Sequence, residues 1–174
     1  MKKRTIRITG VIVVLLLLAA SVYLYLGGGT ETRVDLVACH TVDLVGLEFR
    51  GTPQDERLRQ YFQDVEANRG EDPLYTIYFE EPSGKRDTLH VFVGLERGDR
   101  PQSLPEGWIR RSFACREAVR ASMQMHQWVM PGPQQTKQRI QEFALARGVV
   151  LQGLFIDKIM GRNHVEVWAP VREE

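Results

Sequence analysis

Cysteine is almost missing from this chain: Cys39 and Cys115 are the two among 174 residues, too few for a disulfide scaffold or a cysteine-rich zinc site. Whether the two pair with each other depends on their Cα atoms lying within about 7 Å, which spacing alone leaves open. Histidine is scarce too. His40, His90, His126 and His164 show no His-Glu-x-x-His or His-x-His spacing, so no metal ligand set is expected. No phosphate-binding loop, Rossmann glycine pattern or G-x-S-x-G elbow occurs, so no cofactor is expected and no catalytic residue is assigned. A positive surplus is lacking as well. Of 23 Lys+Arg, four (Lys2, Lys3, Arg4, Arg7) precede the apolar block, leaving 23 − 4 = 19 against 22 Asp+Glu. That balance excludes a strongly basic nucleic-acid surface, and no nucleic-acid partner is expected.

What the chain does have is one long apolar run. Val11 to Leu26 is apolar at every position but Ser21 and follows the basic cluster. With Ile8, Thr9 and Gly10 it makes nineteen residues, a helix of about 28 Å against the ~30 Å of a bilayer core. We expect a cytoplasmic stub (1–7), a transmembrane signal-anchor (8–26) in the lipid bilayer, a Gly-rich linker (27–33) and a folded domain (34–172). The positive charges keep the N-terminus inside, which places the domain on the far side, the periplasmic side of the inner membrane in a bacterium. The alternative is a cleaved signal peptide, for which Ala19-Ala20-Ser21 has the right small residues. The run continues through Val22-Tyr23-Leu24-Tyr25-Leu26 past that point, and its tyrosines suit a membrane interface.

Alternating apolar residues at Val34/Leu36 and Val42/Leu44/Val45/Leu47/Phe49 predict a β-hairpin broken at Cys39-His40-Thr41. Thr52 then N-caps a helix, with Pro53 in its first turn, Asp55 and Glu56 near its positive end, and Leu58, Phe62 and Val65 as its stripe; Gly70 stops it. Leu74 to Phe79 and Asp87 to Leu95 follow as strands around a turn at Glu81-Pro82-Ser83-Gly84. The second half repeats this plan. Phe113-Ala114-Cys115 echoes Val37-Ala38-Cys39, 115 − 39 = 76 residues on, and leads to a strand (Val119 to His126) and a proline turn. A helix carrying Ile140, Phe143 and Ala144 runs up to Gly148. Strands at Leu151 to Met160 and His164 to Val171 close the repeat. The expected fold class is α+β: duplicated β-β-α-β-β units (about 34–96 and 104–172) with pseudo-twofold symmetry. Antiparallel sheets would carry helices on one face, with a groove between the units.

Several segments resemble the GyrI-like small-molecule-binding domain. They are Asp72-Pro73-Leu74-Tyr75-Thr76-Ile77-Tyr78-Phe79-Glu80-Glu81-Pro82, Val91-Phe92-Val93-Gly94, Leu104-Pro105-Glu106-Gly107, Leu154-Phe155-Ile156-Asp157-Lys158-Ile159 and Val165-Glu166-Val167-Trp168-Ala169-Pro170-Val171. The resemblance spans roughly 34–172. It implies an effector-binding domain that takes a small amphipathic, often cationic or aromatic molecule between the repeats. A strand carboxylate would sit at the pocket floor. Asp157 takes that position where the family has Glu, and Ile159 stands for its Tyr. Both departures bear on cation recognition, and Asp157 could equally pair with Lys158 or Arg162 at a strand end.

The ligand-lining candidates are Tyr78, Phe92, Phe155, Asp157, Trp168 and Glu166. On the strand ending at Leu95, Leu89, Val91 and Val93 suit packing on a helix, while His90 and Phe92 point the other way, toward the expected groove. Asp157 or Glu166 would serve as general base if the domain were a groove hydrolase. A protein-protein interaction module on the membrane surface is the other alternative, with an unidentified protein partner.

Overall fold

The computed structural model describes residues 2–80, 87–96, 98 and 104–172, with side chains from residue 10 onward. Eleven elements follow in order: α1 (Lys2–Tyr25), β1 (Arg33–Ala38), β2 (Val42–Gly51), α2 (Glu56–Ala67), β3 (Leu74–Glu80), β4 (Leu89–Glu96), β5 (Ile109–Phe113), β6 (Glu117–Gln124), α3 (Pro133–Arg147), β7 (Phe155–Gly161) and β8 (His164–Pro170). The turn expected at Glu81 to Gly84 lies outside the described residues. All eight strands join one antiparallel sheet in the order β1-β6-β8-β7-β3-β4-β2-β5. The two halves meet where β7 pairs with β3.

The expected hairpin of β1 and β2 does not form. β1 pairs with β6 at one edge, and β2 pairs with β4 and β5 near the other. The second half makes the reciprocal exchange, since β5 precedes β6 in sequence but pairs with β2. On a flat sheet the six steps from β1 to β2 would cover about 29 Å, whereas four residues of chain reach at most ~14 Å. The sheet therefore curls until residues 39–41 and 114–116 can cross side by side. There Cys39 N donates to Arg116 O at 2.9 Å, and Cys39 and Cys115 form a disulfide with Cα atoms 5.5 Å apart.

The helices pack on one face of the sheet. Val65 of α2 is buried against Leu47, Phe49, Leu74, Leu89, Val91, Val93 and Leu95, and Ile140 and Ala144 of α3 against Val119, Ala121, Met123, Val167 and Ala169. Inside the curl, on the opposite face, lie Leu44, Tyr75, Ile77, Phe92 and Ile156. α2 starts later than expected: Asp55, not Thr52, is the N-cap, because its carboxylate accepts from Arg57 N at 2.9 Å and also binds the Arg57 side chain. Thr52 opens the preceding turn, its carbonyl accepting from Asp55 N. α3 ends on Gly148 in the left-handed conformation (φ 67°), whose N–H returns to Ala144 and Leu145.

Among the described residues no helix is long and apolar enough to cross a membrane. The part of α1 with described side chains, Gly10 to Tyr25, has 25 − 9 = 16 residues, about 24 Å of helix. The three glycines after it do not form a loose tether. His126 N donates to Leu26 O at 3.0 Å, and Gly27 sits against Met125, so the end of α1 is joined to the end of β6.

Candidate functional site

Strand register sets the floor of the site. Across the seam Tyr78 stands opposite Phe155 and Thr76 opposite Asp157, and all four project to the helix face. Asp157 also faces Val167 of β8. Over this row lies the first turn of α3, whose buried residues are Thr136, Lys137, Ile140 and Ala144. Lys137 is thus a cation on an apolar stripe, at spacings of three and seven from Ile140 and Ala144, and is only 8% exposed. Its Nζ lies 5.3 Å from the Tyr78 ring centre and 5.0 Å from that of Phe155, a separation at which a ring's quadrupole attracts a cation.

The charges in this cluster shape one another. Burial pushes the Asp157 carboxyl up to about 6, with Lys137 pulling the other way. Burial lowers the Lys137 ammonium, opposed by Asp157. The Tyr78 phenol is pushed up to about 12 by burial and by the Asp157 charge. Thr76 Oγ1 is buried with no hydrogen-bond partner among the described residues.

Lys137 borders two hollows. The larger, about 580 Å³, is lined by Tyr78, Phe155, Gln134, Gln138 and Gln141 besides Lys137. The smaller, about 320 Å³, is mainly apolar, with Met123, Met130, Val165 and Val167 in its walls and Asp157 among them. Both volumes fall in the size range of small-molecule sites.

The expected site residues divide between the two faces. Tyr78, Phe155 and Asp157 come together in the groove. Phe92, Trp168 and Glu166 do not join them, because side chains alternate along a strand and these three project into the curl. Phe92 is fully buried there. Trp168 Nε1 donates to Glu166 Oε2 at 2.9 Å, and Arg120 lies 3.6 Å from the same carboxylate. Trp168 also borders a small cavity of about 70 Å³ under the disulfide, with Tyr75, Glu96 and Lys158. Lys158 lies over the Tyr75 and Trp168 rings, so the basic partner of Asp157 is Lys137 rather than Lys158. Lys137 was the residue missed from sequence. The available signal was a lysine on the stripe shared with Ile140 and Ala144. Among the described residues no group of three His, Cys, Asp or Glu could hold a metal ion.

No protein-family model and no curated protein matches the sequence. Solved structures do. The EcmrR C-terminal domain is similar at a TM-score of 0.59 and 10% identity, over 83% of this chain and 100% of that one. SAV2435 bound to tetraphenylphosphonium is similar at 0.52 and 14%, over 82% and 94%. A hydrolase from Listeria innocua is similar at 0.58 and 11%, over 82% and 93%. At such identities the likeness is one of fold: this chain is an α+β protein with an eight-stranded antiparallel sheet, folded like the EcmrR C-terminal domain.

Proposed function

We propose that the chain is a membrane-anchored, GyrI-like small-molecule-binding domain whose ligand site is the groove over the β3–β7 seam. The observation that carries this reading is the pair of rings, Tyr78 and Phe155, opposite each other across the seam in the wall of the larger hollow, with the buried Lys137 ammonium within 5.3 Å of both ring centres. An amphipathic molecule needs both: rings for its apolar body and one polar anchor. SAV2435, which shares the fold, is bound to tetraphenylphosphonium in its solved structure, which supports a small-molecule role for the same architecture. The test is thermal unfolding of the full chain against amphipaths of each charge, tetraphenylphosphonium among them. A ligand at 100 times its Kd adds about 2.7 kcal/mol of stability. Tyr78→Ala and Phe155→Ala should abolish the shift, and a shift that survives both puts the ligand elsewhere.

The anchor is part of the proposal. The backbone of α1 is helical over 24 residues, about 36 Å. Its large apolar side chains from Val11 to Leu24 are 49% to 66% exposed, far more continuous apolar surface than a soluble protein leaves in water. A bilayer covers such a helix, with Tyr23 and Tyr25 at its interface and the preceding basic residues in the cytoplasm. The Cys39–Cys115 disulfide suits a domain on the oxidising side, the periplasm in a bacterium. Carbonate extraction and protease accessibility check this. A cytoplasmic domain overturns the topology, and a mature N-terminus at Val22 reveals a cleaved signal peptide instead.

A groove hydrolase is the second reading, favoured by an Asp157 carboxyl raised to about 6, near the range of a general base at neutral pH. Turnover of aryl esters that Asp157→Asn abolishes would establish it.

A further inference from the structure

We propose that Lys137 sets the charge preference of the groove, so that its larger hollow takes an amphipathic organic anion and refuses organic cations. The inference rests on the groove being a ligand site and deepens that reading.

Three observations carry it. The place where aromatic faces would receive a ligand cation is already filled, since Lys137 Nζ lies within 5.3 Å of the centres of both rings. A second cation at these faces would meet a like charge a few ångströms away, in surroundings that screen it poorly. Lys137 is also held there. It is 8% exposed and sits on the same buried face of α3 as Ile140 and Ala144, with its ammonium against two rings. Finally, the charges of the site are distributed unequally. Asp157 lines the smaller hollow, whereas among the described residues the charged group lining the larger one is Lys137. The other polar walls are Gln134, Gln138 and Gln141, spaced along one face of α3, which contribute amide dipoles but no charge. An aryl carboxylate or sulfonate can therefore place its head at Lys137 Nζ and its rings beside Phe155 and the half-exposed Phe79. SAV2435, bound to the cation tetraphenylphosphonium, would differ from this chain in that preference.

The experiment is isothermal titration of the full chain in lipid nanodiscs with three matched probes: 2-naphthalenesulfonate, 2-naphthyltrimethylammonium and uncharged 2-naphthol. Empty nanodiscs give the partition background. The native chain should bind the sulfonate at least tenfold more tightly than the ammonium. Lys137→Met, of similar length and apolar, should reverse that order, and Lys137→Arg should keep it, with circular dichroism confirming the fold of each. Equal or tighter binding of the ammonium by the native chain overturns the inference, as does an unchanged preference in Lys137→Met. Binding of 2-naphthol without any charge preference removes the inference and leaves the small-molecule reading standing. Failure of all three probes on every variant removes both.

Discussion

At the residue scale the groove turns on Asp157 and Lys137, two opposite charges drawn out of water by the same helix. Burial raises Asp157 from 3.8 to about 6 despite the nearby ammonium. The folded protein therefore keeps a proton that the unfolded chain has released, so stability falls as pH rises from about 4 to 6 and levels off above. A shift of that size corresponds to roughly 2 to 3 kcal/mol. Asp157→Asn imitates the protonated carboxyl, so it should match the native chain near pH 4 and exceed it by that amount at pH 8. Urea unfolding at the two pH values checks this, and an equal difference at both would show that Asp157 carries no buried charge. Asp157 was legible in the sequence, because the resemblance pointed to it. Lys137 was not, because its meaning depends on the first turn of α3 lying beside the seam, and periodicity says which face of a helix is buried but not above which strand.

Elements follow their local signals well and choose partners by other means. The apolar run Leu74 to Phe79 and the alternation in Leu89 to Leu95 located β3 and β4, and Leu89, Val91, Val93 and Leu95 do pack with α2. The pairing of β1 with β6 was not legible, since alternation fixes which face a strand buries and is silent on its neighbours. A three-residue break between two alternating runs normally makes a hairpin, and here the chain uses it to cross the curl. The curl explains Phe92 as well: a side chain expected in an open groove is buried inside it with Leu44, Ile77 and Ile156. One glycine pair lets two strands pack closely here. Gly46 and Gly94 face each other across β2 and β4, and a Cβ on Gly46 would strike the carbonyl oxygen of Val93, which cannot rotate away. Gly46→Ala should cost about 1 to 3 kcal/mol in denaturant unfolding. Gly161→Ala, which has open space around it, should shift stability by less than about 0.5 kcal/mol.

Over the whole molecule, exchange of β1 and β5 gives each half of the single sheet an edge strand from the other half of the chain. The disulfide ties the two crossings together and encloses a loop of 76 residues. In the chain-entropy picture a loop of that length stabilises by about 4.5 kcal/mol. Cys39→Ser with Cys115→Ser should lower the denaturant midpoint by a corresponding amount, and the native chain should fall to the same midpoint when a reductant is added. A reductant-insensitive midpoint would show that the crossings hold without the bond. The duplicated plan was visible from the echo around the two cysteines, whereas the exchange was not, because an echo records similarity and not which copy a strand leaves to join. The joint at Leu26 and Gly27 has a consequence of its own. Three free glycines would let the domain wander by about 10 Å, but docking on β6 removes that play. The domain then keeps one heading relative to the axis of α1, like a vane fixed to its mast. Whatever enters the groove must approach along a direction that the helix has already chosen.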